Sequence, residues 1–198
     1  MKIYFQKIDY LFRNLFKINP LIYDFPNEKY APISDSFFFR NDNIKSAFTL
    51  SNISSHTNPN IQIEDNVKIF IYSKDGNLLK LLNIILKPFE TKKIYFNDLN
   101  LTTNYGLFFV FHNFADKSLL IENNSYVTER GYLAFSDNLK FWQYVHGNHN
   151  AAYLSSSNQI NSLMTKSFFI NEFFPQLTFN DCDNFDIILS NVQKYQVK

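Results

Sequence analysis

Residues 66–87 read NVKIFIYSKDGNLLKLLNIILK, and this stretch decides the fold class. Two runs rich in Val, Ile, Phe, Tyr and Leu flank Asp75-Gly76, a dipeptide that supplies the positive φ angles of a tight two-residue hairpin turn. Pro88 follows the second run and closes it, since proline has no N–H to give to a ladder. Leu78–Leu86 taken alone has the length of a short helix. The turn before it and the Ile84-Ile85 pair favour a strand.

The same texture extends outward from this hairpin. Short β-rich runs at Phe37–Arg40, Lys45–Ser51, Lys92–Asn97, Gly106–Asn113, Tyr126–Ser136, Lys140–His146, Ser167–Phe173 and Phe185–Asn191 are separated by Asn, Asp, Ser and Gly. Long helices do not alternate with them, which excludes a doubly wound α/β fold. The expected class is mainly β, an antiparallel β-sandwich of the immunoglobulin-like or jelly-roll-like kind. The pattern resembles immunoglobulin-like sandwiches in architecture, and the paired cysteines of antibody domains are absent.

The front of the chain has a different period. Tyr4, Phe5, Ile8, Leu11, Phe12, Leu15 and Phe16 recur at three- and four-residue steps, which predicts a short N-terminal amphipathic α-helix. Asn19-Pro20 ends it. The chain therefore divides into an N-terminal helix and linker over 1–32, a β-sandwich domain over 33–165, and C-terminal strands over 166–198. Those last strands either complete the sandwich or start a second similar copy. Arg40-Asn41-Asp42 with Ala47–Ile53 resembles Phe179-Asn180-Asp181 with Asp186–Val192 at the same offset.

Two runs, Ile69–Tyr72 and Leu107–Phe111, are apolar on both faces, whereas a strand of a bare sandwich has one wet face. Something must cover the second face. The N-terminal helix is one candidate and a second subunit, giving a homo-oligomer, is the other.

Composition narrows the function. The chain has 198 residues, 45% hydrophobic and 19% charged, enough for one large core. Its 23 Phe and 12 Tyr are conspicuous, although Phe, Tyr, Ile, Lys and Asn share AT-rich codons. A net charge of +1 gives no footprint for nucleic acid. No apolar run is long enough for a transmembrane helix, and the Lys- and Asp-interrupted N-terminus is a poor signal peptide. The default localisation is cytoplasmic. The lone Cys182 can form no internal disulfide and has no zinc-site spacing.

Candidate chemistry is sparse. His146 and His149 flank a Gly-containing turn, and with His112 they form a candidate metal set, since imidazoles suit zinc or copper. The bland alternative is ordinary loop histidines. Asp181–Asp186 is oxygen-rich but lacks the glycine and distal Glu of a calcium loop. Ser155-Ser156-Ser157 has no nucleophile elbow, and the four glycines build no phosphate loop. No cofactor is implied. Period two along Lys140–His146 puts Trp142, Tyr144 and His146 on one face; with Asn148 these form a candidate ligand-binding row suited to sugars. The same row buried is simply core.

The expectation is a non-enzymatic binding or assembly module engaging carbohydrate or another protein. The alternative is a metal-dependent or hydrolytic enzyme using His112, His146 and His149.

Overall fold

A computed structural model describes residues 26–163 except 61, 115, 123–125, 130, 138 and 139. The N-terminal amphipathic segment, the strands expected beyond 165, the second copy of the internal similarity, Cys182 and the Asp181–Asp186 loop all lie outside the described residues.

The fold is mainly β, with antiparallel sheets packed as two layers. The larger sheet is ordered β11-β10-β1-β6-β3-β4, with β7 also paired to β1. Its strands are β1 (Ile33–Arg40), β3 (Asp65–Ser73), β4 (Leu78–Leu86), β6 (Tyr105–Phe114), β7 (Thr128–Glu129), β10 (Asn148–Leu154) and β11 (Ile160–Ser162). The smaller sheet is ordered β5-β2-β8-β9. It comprises β2 (Lys45–Ser51), β5 (Thr91–Tyr95), β8 (Leu133–Ser136) and β9 (Gln143–Val145). Two five-residue helices, α1 (Ile53–Thr57) and α2 (Ser118–Glu122), sit in connections.

The hairpin at residues 66–87 forms, and Leu78–Leu86 is a strand. Its turn differs from the expected two-residue type. The Ser73 N–H donates to the Asn77 carbonyl at 2.8 Å and the Gly76 N–H to the Ser73 carbonyl at 3.0 Å, leaving a three-residue loop. Such a loop needs a single left-handed residue, and Gly76 supplies it at φ 81°. Ser73 Oγ also accepts from the Asp75 and Asn77 N–H groups.

The expectation of strands dry on both faces holds. On one face Val67, Ile69, Ile71, Phe108 and Val110 join Phe37 and Phe39 against Phe48, Leu50 and Leu133 of the smaller sheet. Phe108 is the hub, with ring centroids 5.1 Å from Phe37, 5.3 Å from Phe48 and 4.7 Å from Phe96. On the opposite face Phe70, Phe109 and Phe111 cluster with Ala151, Ala152 and Leu154 of β10.

A bulge in β1 makes that second layer. Its register shifts between Ser34 and Ser36. β1 pairs with β10 on both sides of the bulge, at Ile33 and Ser34 and again at Ser36, with β7 at Ile33 and Ser34, and with β6 from Phe37 onward. Ser34 Oγ takes the N–H of Val110 at 2.8 Å, supplying a bond the backbone ladder lacks there. The chain's own β10 thus packs on the second face of β6, a role the sequence pattern left to a helix or a second subunit.

Asn52 fastens the two sheets at one end. Its buried amide donates to the carbonyls of Ile63, Leu86 and Lys87, while its Oδ1 accepts from Ser54 and Ser55. That geometry leaves no room for a glycan at the Asn52-Ile53-Ser54 sequon.

Candidate functional site

The smaller sheet has one dry face and one open face, and its alternation assigns them. Phe48, Leu50 and Leu133 point into the core. The residues between them point outward: Lys45, Ala47, Thr49 and Ser51 on β2, Thr91, Lys93 and Tyr95 on β5, Ala134 on β8, and Tyr144 on β9. The register places Tyr95, Ala47, Ala134 and Tyr144 side by side in one row across the sheet. Three strand spacings make that row about 14 Å wide.

Its floor is small and its ends are aromatic. The Trp142 ring, which precedes edge strand β9, lies 5.8 Å from that of Tyr95 on the opposite edge strand. The two rings therefore meet across the inner strands, where alanine leaves space, and both Ala47 and Ala134 are fully covered. Lys93 Nζ sits 4.2 Å from the Trp142 ring and 5.3 Å from Tyr95, a cation–π arrangement. At the other end Tyr132 meets Tyr144 edge-on at 6.3 Å and His146 at 4.6 Å. Tyr144 is 54% exposed and Tyr132 52%, while Trp142 is half-buried.

The four residues of the sequence-predicted ligand row therefore fare differently. Tyr144 and His146 meet through Tyr132. Trp142 leans away from them toward Tyr95 and Lys93. The backbone of Asn148 belongs to the larger sheet, where it pairs with Ser36, and its side chain lies outside the described residues. Tyr95, Lys93 and Tyr132 were missed. They become neighbours of the row through strand pairing, which periodicity within one strand does not report.

The three histidines of the candidate metal set are distributed over both sheets. His112 is buried in β6 of the larger sheet. Its Nδ1 is hydrogen-bonded to Asp65 Oδ2 on β3 and its Nε2 to Glu129 Oε2 on β7. Each carboxylate uses its second oxygen to accept a backbone N–H, Asp65 from Asn113 and Glu129 from Gly131. Burial disfavours the imidazolium, and the bonds and charges of Asp65 and Glu129 outweigh it, so the His112 pKa is pushed up to about 10. A cationic ring with both nitrogens donating has no lone pair for a metal and no free nitrogen for proton transfer to a substrate. His146 lies on the smaller sheet's open face. His149 is in β10, and its side chain lies outside the described residues. Among the described residues no group of three His, Cys, Asp or Glu side chains is placed to hold a metal ion.

The remaining candidates are structural. His56 lies in the last turn of α1 with its ring edge-on to Phe89 at 5.8 Å. Ser155 Oγ bonds Ser157 Oγ and the Gln159 backbone, closing the β10–β11 turn. No helix among the described residues is long and apolar enough to cross a membrane.

Comparison of the chain with family models, with curated proteins and with solved structures finds no match.

Proposed function

We propose that this protein is a non-enzymatic binding module whose open sheet face stacks on carbohydrate. Architecturally, we read its two packed sheets as a β-sandwich of the immunoglobulin-like or jelly-roll-like kind. The observation that carries the functional reading is the row of half-exposed rings, Trp142, Tyr95, Tyr144 and Tyr132, across a floor of alanines. Burying these rings would remove apolar surface from water, and the chain leaves Tyr144 and Tyr132 half-exposed. Pyranose rings have an apolar face of C–H groups that suits a flat aromatic surface, and their rim of hydroxyls suits the phenol oxygens of the tyrosines. The arrangement around His112 supports no competing chemistry, since both ring nitrogens are already bonded.

Trp142 is the sole tryptophan, so its emission reports on this face alone. Titration with a panel of neutral and acidic oligosaccharides is expected to shift or quench that emission saturably for at least one member. Tyr144→Ala should weaken the response while leaving the fold intact. A flat response to the whole panel would overturn the carbohydrate reading.

A further inference from the structure

The strands under the aromatic row share an unusual charge pattern. β2 reads KSAFTLS, β5 TKKIY, β8 LAFS and β9 QYV, which together hold three lysines and neither Asp nor Glu. Lys92 is neutralised by Glu90, with Nζ 3.1 Å from Oε1. Lys45 and Lys93 alternate with the core-facing residues and so lie on the open face. Among the described residues neither forms an ion pair. Lys93 is half-buried, its ammonium held beside the Trp142 and Tyr95 rings.

Two of the acids nearest in the chain are engaged elsewhere. Glu129 is turned inward to His112 and Gly131. Asp42 is paired with Arg40 at 2.7 Å. Asp98 follows β5 in a 3-10 turn, where its Oδ1 accepts from Asn97, and Asp137 lies just past the end of β8. The strands of this face thus carry lysine and no acid of their own, with Asp98 and Asp137 just beyond their ends. An ammonium fixed against aromatic rings is partly desolvated, so an anion brought next to it gains more than it would from a fully hydrated surface lysine.

We infer that the open face selects an acidic saccharide, one whose successive uronate carboxylates reach Lys93 and Lys45 while its sugar rings lie on Trp142 and Tyr144. This rests on the carbohydrate reading above and narrows it to a ligand class. A neutral sugar would use the rings and leave both lysines unmatched. A simple polyanion would use the lysines and leave the rings unmatched.

The test is a set of Trp142 emission titrations, checked by calorimetry, with oligogalacturonate, a neutral galactose oligomer of the same length, and poly-glutamate. The expected result is affinity about tenfold or more higher for oligogalacturonate than for the neutral oligomer. That advantage should shrink in 0.5 M salt, where the Debye length is on the order of 4 Å. It should also disappear in K93Q, and be reduced in K45Q as a second variant that leaves the Trp142 contact untouched. Tyr144→Ala should weaken both sugars alike. Equal affinity for the two sugars, or a preference that survives both lysine variants, overturns the acidic selectivity and leaves the platform standing. Poly-glutamate binding as tight as oligogalacturonate also overturns it, because no sugar ring would then be needed. Failure of every sugar to bind overturns the platform reading itself.

Discussion

The two sheets use aromatic residues in opposite ways. In the larger sheet, Phe37, Phe39, Phe108 and Phe111 are at most 1% exposed, and the chain itself supplies cover on both faces of β6. In the smaller sheet the inner face is dry at Phe48, Leu50 and Leu133, yet the outer face carries Trp142, Tyr95, Tyr144 and Tyr132, of which Tyr132 and Tyr144 are more than half exposed. The difference also appears in residue type among these rings, with Phe at the centre of the core and Tyr or Trp, each with a polar handle, in the outer row. An abundance of aromatics therefore has two meanings in this chain, and the covering layer decides between them. Where β10 folds over β6, rings are core. On the outer side of the smaller sheet, where Ala47 and Ala134 are covered and Tyr132 and Tyr144 stay half-exposed, they form a surface.

The sharpest way to break this contrast is to truncate one ring from each region. Phe108→Ala removes the ring that touches Phe37, Phe48 and Phe96 at the centre of the two-sheet core. It should cost about 3–5 kcal/mol, read from denaturant unfolding at constant slope. A loss under about 1 kcal/mol would mean that the sheets do not pack as described.

The second difference is electrostatic. The larger sheet buries charge, Asp65 and Glu129 around His112, while the smaller sheet displays it. Because the folded His112 pKa lies above its unfolded value of 6.5, the native state binds more protons between 6.5 and about 10. The stabilisation is thus complete below 6.5 and is lost as pH rises toward 10. The loss should amount to a few kcal/mol over that window. His112→Gln should be less stable at pH 6 and should flatten the decline. An equally steep decline in the variant would mean that the imidazolium is not what the two carboxylates hold.

Gly131 links the two regions, standing between β7 of the larger sheet and β8 of the smaller. A Cβ there would meet Glu129 Oε1 at 2.6 Å and Phe48 Cζ at 2.9 Å. Gly131→Ala should therefore cost about 1–3 kcal/mol, by crowding the core and pushing Glu129 off His112. If thermal unfolding of this variant matches the parent, the crossing is looser than the packing implies.

Much of this contrast was legible in the residues, but unevenly. The β3–β4 hairpin and the double-sided dryness of β3 and β6 follow from local pattern, because period-two alternation fails visibly where both faces are apolar. The pieces that explain the dryness did not show. β10, NHNAAYL, has small and polar residues that make no strand signal alone, and Ile33–Ser36 is masked by Ser34, Asp35 and Ser36. Both become strands through pairing with each other. Likewise Tyr126–Ser136 reads as one run, and Gly131 divides it between two sheets. In the candidate site, Tyr144 and His146 could be read from alternation in one strand. Tyr132, Tyr95 and Lys93 come from other strands, and the carboxylates around His112 did not show because Asp65 and Glu129 are 47 and 17 residues away in sequence.

The smallest expected effect on stability tests the contrast from its other side. Tyr144 is more than half exposed, and its neighbours in the row are Ala134 and the rim residue Tyr132. Removing it should change unfolding free energy by no more than about 0.5 kcal/mol, against several for Phe108. A ring that costs nothing to delete contributes little to folding, and a half-exposed aromatic with no structural duty is what a binding face requires. If Tyr144→Ala instead destabilised the protein by about 2 kcal/mol or more, the outer row would be an extension of the core. Its rings would then be holding the smaller sheet together, and the argument for a ligand would lose its main support. The two truncations, measured side by side in the same denaturant series, therefore decide whether the aromatic content of this chain has one role or two.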